Sequence, residues 1–445
     1  MALQLQTTNK QILGMAMPIA LATLVPQLNF ITNNIFLSGL GEQHLASAGI
    51  TGVYYLIFAV IGSGLNNGVQ ALIARRAGQD LPKEIGRLFL HGVWIALVIS
   101  IIGIATTYLF APTVMRAVLH NPAIAEEVVD FVMIRIWGLP LLYLYVMRNA
   151  LLVGTNQTSF LVWGTLAEAL TNVFLDYTLI YGKFGFPMLG FNGAAYASIA
   201  AEAMGLLVIY AIIHAKGLHR AFSVFDNISW DRPTAKLILV QSSPLIVQYG
   251  ISILTWEYFY ILIEHHGERA LAVSNTMRNV FGLFGIFSWA FASTTNTMVS
   301  NIIGQGRTEE VVPLIGRIAR ISFMFAMISF LMLNIWPEWF LSFYSRGEDF
   351  IDYATPVMRV VSSALLLMSI GTVWLNAVTG TGNTKVNLAI EAVTIVFYSA
   401  YVYLVLEYWH LSITWGWVSE WVYWITILTG AYLYFRSGKW KNKVI

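Results

Sequence analysis

The sequence predicts an all-α integral membrane protein, with twelve transmembrane helices in two pseudo-symmetric six-helix lobes. Three observations lead to this fold class: few charged residues, a series of apolar windows long enough to cross a bilayer, and a repeat that relates the two halves of the chain. Together they indicate a membrane-embedded helical bundle rather than a soluble domain.

The composition is that of a protein whose solvent is largely lipid. Of 445 residues, 57% are hydrophobic and only 11% are charged, whereas soluble domains carry about 25% charged residues. The net charge of +2 argues against a nucleic-acid partner, which requires a basic surface. The chain has no cysteine, so disulfides, thiolate metal sites and cysteine nucleophiles are excluded. The polar N-terminus lacks a signal-peptide pattern, so the first apolar stretch is expected to be a retained span.

A helix needs about 20 mainly apolar residues to cross a bilayer core. Twelve such windows are present, at residues 11–37, 45–73, 88–112, 126–150, 159–181, 193–214, 237–263, 270–303, 313–336, 354–378, 386–406 and 412–435. They do not show the alternating pattern of short outer-membrane barrel strands.

The basic residues strongly favour one face of this twelve-span arrangement. Eighteen of the 25 Lys and Arg residues fall at the termini and in the even-numbered loops, and only four in the odd-numbered loops. Because basic loops stay in the cytoplasm, we expect both termini to be cytoplasmic. With no transit peptide, the expected location is a plasma membrane, specifically a bacterial inner membrane.

Three motifs recur at one offset along the chain. Each pair is separated by 226 residues: Pro18 and Pro244, Gly-Glu-x-x-Leu-Ala at 41–46 and 267–272, and Gly-Thr-x-x-Thr at 154–158 and 380–384. The alternative is loop chemistry that recurs by chance in similar hairpins. Six spans per copy give both copies the same orientation, as in transporters whose two bundles hold a substrate between them. The polar connection 215–236 predicts an N-terminal lobe, 1–221, and a C-terminal lobe, 222–445.

Acidic residues within the fifth and sixth spans form the first candidate site. Glu168, Asn172 and Asp176 are spaced at i, i+4 and i+8, so they share one helical face. Glu202 lies in the middle of the sixth span. Ionisable groups in a bilayer are costly and are usually kept for function. Such a cluster can bind a proton, a sodium ion or a cationic drug in competition, which is antiport chemistry.

Two alternatives to this site remain open in the first lobe. Glu202 can instead form a structural ion pair with Arg135 of the fourth span, and Asp176 can likewise have a structural partner. Glu168 can lie near an interface and be solvated.

The second lobe has a weaker candidate site. Glu257 and Arg278 form either a structural ion pair or, through Glu257, a second cation site. Glu391 lies close to the cytoplasmic end of its span and is expected to be solvated. Glu420 has aromatic neighbours in the sequence and receives no assignment.

The first span carries polar residues that suit a cavity. Pro18 and Pro26 interrupt it, and a proline within a helix removes a hydrogen bond and favours a kink. We predict a bending, cavity-lining helix, with an ordinary kinked helix as the alternative. The predicted cavity residues are Gln27, Asn29, Asn34, Asn66 and Glu168, with Asn33 nearer the cation.

The sequence resembles the multidrug and toxic compound extrusion (MATE) family along essentially its whole length. The specific motif is Asn-x-x-x-Asp at 172–176, followed by Gly-x-x-Gly-x-Pro-x-x-Gly-x-x-Gly-Ala-Ala at 182–195. By position, Asn172 and Asp176 match the family's first-lobe cation site, and Ser198 falls where the family commonly has Thr. Where the family usually has an Asp on the first helix, this chain has Asn33, which puts the family's usual protonation scheme in doubt here.

The resemblance implies twelve helices in two lobes and efflux driven by a proton or sodium gradient. We therefore predict a rocker-switch antiporter for small cationic or amphiphilic compounds. Asp176 is the central ligand for H⁺ or Na⁺, assisted by Asn172 and Glu202. A flippase for lipid-linked precursors is the alternative, and it would need a more basic cavity. We expect no enzyme activity, no cofactor apart from the coupling ion, and a monomer.

Overall fold

The computed structural model describes residues 3–224, 229–344 and 348–443. Over these ranges the chain forms twelve long helical segments. They are α1 (Asn9–Ser38), α2 (Glu42–Gly78), α3 (Pro82–Val118), α4 (Pro122–Gly154), α5 (Ser159–Tyr181), α6 (Phe191–Ala215), α7 (Arg232–Glu264), α8 (Glu268–Gly304), α9 (Val311–Ile335), α10 (Glu348–Gly380), α11 (Thr384–Tyr408) and α12 (Ser419–Arg436). Each predicted span coincides with one of these segments to within a few residues.

Short helices join or interrupt the long ones. A 3₁₀ turn, Ile136–Gly138, interrupts α4, and α11 ends in a π-helical turn, Tyr403–Tyr408. The remaining short helices are Leu218–Ala221, Thr308–Glu310, Pro337–Ser342, Ile413–Trp417 and Lys439–Asn442.

Three of the twelve long helices are more polar than the other nine. In the part of the chain that the structure describes, nine helices are long and apolar enough to cross a membrane by length and composition alone. The three other long segments are α5, α8 and α12. In α5 the cause includes Glu168, Asn172 and Asp176, so one of the three more polar helices carries the predicted cation site.

Local sequence explains where several helices begin and end. Pro82 and Pro122 occupy the first turns of α3 and α4, where no backbone N–H is needed. Asn121 caps α4 by accepting a hydrogen bond from the N–H of Ala123 at 3.0 Å. After α5, Gly182 adopts φ 65°, the left-handed conformation that ends many helices.

The chain divides into two compact units. One is Leu21–Ser242, and the other combines Met1–Ala20 with Ser243–Ile445. The division thus falls inside α1 and inside α7, close to Pro18 and Pro244. The lobe boundary between residues 221 and 222, which follows the repeat, stays a prediction.

Within the unit Leu21–Ser242, glycines bring α5 and α6 close together. A Cβ atom on Gly205 would lie 2.9 Å from Cβ of Glu168 and 3.1 Å from the carbonyl oxygen of Gly164. Only hydrogen fits at such a distance, so any larger residue at 205 would separate the two helices. This close packing holds the polar face of α5 against α6.

Candidate functional site

Asp176 is the central feature of the site. Its side chain is 0% exposed, and neither carboxylate oxygen has a hydrogen-bond partner in the described ranges. The ion pairs formed by those ranges do not include it. An isolated carboxylate is costly to bury without a compensating charge or proton. The position is therefore suited to binding a proton or another small cation.

Asn172 lies one helical turn before Asp176 and connects α5 to α1. Nδ2 of Asn29 donates a hydrogen bond to Oδ1 of Asn172 at 2.6 Å. Asn172 is 2% exposed, and its own Nδ2 has no partner among the described residues. Asn33 is one turn beyond Asn29, half-buried, and its Oδ1 is likewise buried and unpartnered. Helices α1 and α5 thus carry buried amide and carboxylate atoms that have no hydrogen-bond partner in the described ranges.

Glu202 has the geometry of the structural alternative. Nη1 of Arg135 donates to Oε2 of Glu202 at 3.1 Å, and Nη2 contacts Oε1. The Arg135 guanidinium also lies 4.0 Å from the centroid of the Tyr55 ring. The pair fits against the 3₁₀ turn because Gly138 has no side chain: a Cβ there would lie 2.8 Å from Oε2 of Glu202. The structure therefore brings Glu202 to Arg135 rather than leaving it free beside Asp176.

Glu168 on α5 is a partly enclosed carboxyl group of the first lobe. It is half-buried, its Oε2 is buried with no partner in the described ranges, and it is within electrostatic reach of Arg148 and Arg135. Arg148 is 0% exposed and stacks on the ring of Tyr145, with 3.8 Å between the guanidinium carbon and the ring centroid. The enclosure of Oε2 does not fit the alternative of a solvated Glu168.

The other predicted site residues of this lobe make no hydrogen bond to Asp176 in the described ranges. Gln27 is exposed, and Asn34, Asn66 and Ser198 are half-buried. Nδ2 of Asn66 lies 3.4 Å from Oδ1 of Asn67 on the same helix. Because Asp176 has no hydrogen-bond partner in the described ranges, none of these four residues bonds to it. Their roles in a cavity stay predictions.

In the second lobe, Glu257 on α7 and Arg278 on α8 are both exposed. The ion pairs of the described ranges do not include these two side chains. Arg278 instead lies over the ring of Tyr260, 5.2 Å from its centroid. The ion-pair alternative is therefore absent from this geometry, and a cation site at Glu257 stays a prediction.

The expectation that Glu391 is solvated is wrong. Its side chain is 0% exposed and accepts hydrogen bonds from Ser252 and Tyr423. Sequence reasoning missed it, although one signal was available: Asn387-x-x-x-Glu391 on α11 repeats the Asn-x-x-x-acid spacing of α5. Helices α5 and α11 are the fifth helices of the two copies. Glu420, which received no assignment, is also buried, at 4% exposure.

Comparison with known proteins gives a consistent result. The chain matches the MatE family over residues 18–178 and 244–404, two blocks that begin 226 residues apart, as the recurring motifs do. Among its relatives is the Synechocystis sp. (strain ATCC 27184 / PCC 6803 / Kazusa) protein named "Probable multidrug resistance protein NorM", 26% identical over 386 residues, 82% of this chain and 80% of the relative. The protein of the same name from Thermotoga maritima is 22% identical over 442 residues, 98% and 94% of the two chains.

Solved structures share the fold. A MATE protein in the straight conformation superposes with a TM-score of 0.89 at 18% identity, covering 99% of this chain and 98% of that one. An outward-facing multidrug resistance MATE family transporter of the MOP superfamily gives a TM-score of 0.88, at the same identity and coverage.

The repeated six-helix architecture and the match to the family in both copies define a multi-pass membrane transporter. The two matched blocks extend over well over half of the sequence. The chain belongs to the MatE family. The family resemblance and the fold class predicted from the sequence are thereby confirmed.

Proposed function

We propose that the chain is a cation-coupled antiporter that exports small cationic or amphiphilic organic compounds. The observation that carries this proposal is Asp176, a fully buried carboxylate with no hydrogen-bond partner in the described ranges. Two relatives named as multidrug resistance proteins support the substrate class.

Antiport follows because two kinds of cation, the coupling ion and the substrate, compete for the one negative charge of Asp176. A proton or sodium ion bound at Asp176 neutralises the carboxylate, and a cationic substrate cannot then use the same charge. Release of the ion leaves the carboxylate free to attract the substrate. Asn172 and Asn29, joined by their hydrogen bond, supply amide oxygen and nitrogen one turn away. Exchange at this site, combined with alternating access of the two lobes, gives antiport.

The driving force is adequate for useful export. Moving one charge across a membrane releases about 2.3 kcal/mol per 100 mV. Because about 1.4 kcal/mol corresponds to a tenfold ratio, one charge sustains a substrate gradient of roughly fiftyfold in an electrogenic cycle. A single coupling ion, H⁺ or Na⁺, is therefore sufficient when the exported compound carries no net charge, whereas exchange of one ion for one monovalent cation moves no net charge and is driven by the ion's concentration gradient alone.

The flippase alternative receives less support from the first lobe. A pyrophosphate needs accessible basic groups. Arg135 is engaged by Glu202, and Arg148 is 0% exposed. We further propose that the protein acts as a monomer in the plasma membrane of a bacterium with both termini in the cytoplasm, without enzymatic activity and without a cofactor other than the coupling ion.

Transport by everted membrane vesicles tests the proposal. Vesicles with the wild-type chain should accumulate a fluorescent organic cation when a pH or sodium gradient is imposed, and Asp176→Asn should abolish that dependence. Asp130→Asn is the matched control, because Asp130 is an exposed carboxylate of the same lobe. Uptake indifferent to both gradients would exclude antiport. Coupling that survives Asp176→Asn would exclude the role given to that carboxylate.

A further inference from the structure

A second buried carboxylate lies in the unit that contains the C-terminal half of the chain. Glu391 on α11 is 0% exposed. Its Oε1 lies 2.6 Å from Oγ of Ser252 and 2.5 Å from the hydroxyl of Tyr423, and its Oε2 lies 3.4 Å from Nε2 of Gln248. Side chains from α7, α11 and α12 thus converge on one carboxyl group.

The hydrogen-bond donors around Glu391 can satisfy its carboxyl group in both the ionised and the protonated state. Oγ of Ser252 is within hydrogen-bond distance of both Oε1 of Glu391 and the carbonyl oxygen of Gln248, at 2.6 and 2.9 Å. A hydroxyl has one hydrogen to donate. When Glu391 is ionised, Ser252 donates to the carboxylate. When Glu391 is protonated, its acid hydrogen is donated to Oγ of Ser252, whose own hydrogen turns to the carbonyl. Both states are satisfied without movement of heavy atoms.

In the described ranges, none of the side chains that contact the Glu391 carboxyl group is positively charged. The contacts from α7 are the neutral Gln248 and Ser252, and α12 contributes Tyr423 and the acidic Glu420. The part of α10 beside this stretch of α11 contributes the neutral Leu375 and Thr379, which accept hydrogen bonds from Asn387. On α11 itself, the nearest ionisable residues in sequence are Lys385, which is exposed, and Tyr398. A proton is therefore the available means of neutralising Glu391.

Buried polar groups continue from this site toward Glu420. The two carboxylate oxygens of Glu420 accept from Nε1 of Trp256 at 3.3 Å and of Trp424 at 3.1 Å. Tyr398 is 1% exposed and Ser419 is 0% exposed, and their hydroxyls are close enough to interact with each other. The ring of Tyr398 packs edge-on against Tyr423, with 5.8 Å between centroids.

We propose that Glu391, with Ser252 and Tyr423, is a second proton-binding site of this protein, separate from Asp176. A proton fits better than a metal ion because the described contacts present O–H and N–H hydrogens to the carboxyl group, whereas a metal needs oxygen lone pairs. Proton uptake forms an O–H bond on Glu391 and turns the Ser252 hydroxyl. If the proposed antiport holds, the consequence is that two carboxyl groups, one in each copy of the repeat, exchange protons during transport.

Infrared difference spectroscopy of the purified full-length protein in lipid nanodiscs tests the site without requiring transport. Spectra are recorded over a pH titration, and the carboxylic-acid carbonyl band is compared between wild type and Glu391→Gln. The wild-type-minus-variant difference should contain a single band that titrates. Glu338→Gln is the control, because Glu338 is an exposed carboxylate of the same half of the chain.

Two further variants keep the carboxyl group and change its surroundings. Tyr423→Phe and Ser252→Ala each remove one hydrogen donor to the ionised form, so each should move the midpoint of the Glu391 band by about one pH unit toward alkaline pH. These variants keep the test decisive if Glu391→Gln folds poorly. The proposal is overturned if no titrating band depends on Glu391. It is also overturned if neither Tyr423→Phe nor Ser252→Ala changes the midpoint of that band.

A transport measurement separates this inference from the proposed antiport. In proteoliposomes, Glu391→Gln should lower the number of protons exchanged per substrate, while Glu338→Gln should not. If neither the wild type nor any variant responds to a gradient but the band titrates, the antiport proposal fails and the proton site stands. If transport is coupled and its proton count is unchanged by Glu391→Gln, the site has no part in coupling and the two-site consequence fails.

Discussion

Asn29 on α1 and Asn172 on α5 form a hydrogen bond of 2.6 Å between their side-chain amides. This bond connects the polar face of the first helix to the helix that carries Asp176. It fixes one amide oxygen and one amide nitrogen beside the buried carboxylate. The first prediction concerns this bond.

Asn29→Ala should weaken apparent coupling-ion affinity by up to about tenfold, because it removes a hydrogen bond worth about 0.5–1.5 kcal/mol and leaves Oδ1 of Asn172 unpartnered. The measurement is the ion-concentration dependence of transport in proteoliposomes. Thr32→Ala serves as the control, since its hydroxyl donates a hydrogen bond to the carbonyl oxygen of Leu28 on the same helix. Equal effects of the two substitutions would contradict the role of the bridge.

Asn33→Asp should move the pH dependence of transport to more alkaline pH. The new carboxylate would lie on α1 one turn beyond the Asn29–Asn172 bond, and two nearby carboxylates disfavour simultaneous ionisation. Transport rates measured across a pH series would reveal the shift. Asn34→Asp places the same charge on the neighbouring residue, about 100° around the helix, and should cause a smaller shift. A pH profile identical to the wild type for Asn33→Asp would show that Asn33 and Asp176 do not interact.

The Arg135–Glu202 pair should behave as a structural element. Removing one partner of a buried pair costs about 3–5 kcal/mol, so Glu202→Gln should lower the unfolding midpoint in detergent while gradient-dependent transport by the folded fraction survives. Glu126→Gln, which breaks the exposed Arg116–Glu126 pair, should lower the midpoint far less, because solvent screens an exposed ion pair. Loss of coupling at unchanged stability would instead assign Glu202 to the cation site.

Residues near the N-terminus should contribute measurably to the stability of their own unit. Asn301 on α8 accepts a hydrogen bond from the N–H of Leu5 at 3.0 Å and donates one to the carbonyl oxygen of Leu3 at 2.9 Å. Asn301→Ala leaves buried backbone groups unpartnered, at a cost of about 1–3 kcal/mol each. The expected result is a lower unfolding midpoint and faster proteolysis near residue 5. Lys10→Ala, at an exposed side chain, should leave both unchanged.

Acid should destabilise the start of α7 through Asp231. The side-chain hydroxyl and the N–H of Thr234 both donate to Oδ2 of Asp231, and they hold the pKa of this carboxyl below its usual value. A carboxyl whose pKa is lower in the folded state adds stability above its unfolded pKa of about 3.9, and this contribution is lost as the pH falls through the folded value. Unfolding midpoints measured from about pH 6 to pH 3 should fall less steeply in Asp231→Asn. Equal slopes in both proteins would contradict the effect.

The sequence predicted most of the fold because lipid imposes a simple requirement on each span. Long apolar windows, the basic-residue bias and the 226-residue offset of Pro18 and Pro244 are all local or periodic properties. Asn172 and Asp176 were found for the same reason: an i, i+4 polar pair in an apolar helix needs no knowledge of neighbouring helices.

The surroundings of the acidic residues could not be predicted in this way. Glu391 is seven residues into α11, which suggested solvation, but its burial is set by Ser252 and Tyr423, which lie on other helices. The partner of Glu202 is 67 positions away, on α4. Which of several polar residues meet is decided by helix packing, and a single sequence contains little information about that.

The 226-residue relationship also shows that the two halves carry their buried acids at different positions of the repeat. The position equivalent to Asp176 is Val402, whereas Glu391 corresponds to Thr165. The acids of the two copies are therefore displaced by 11 positions, about 16 Å along the helix axis. The halves are therefore not interchangeable: a chimera built from two first halves would carry its acids at equivalent positions of the repeat, an arrangement that this chain does not have.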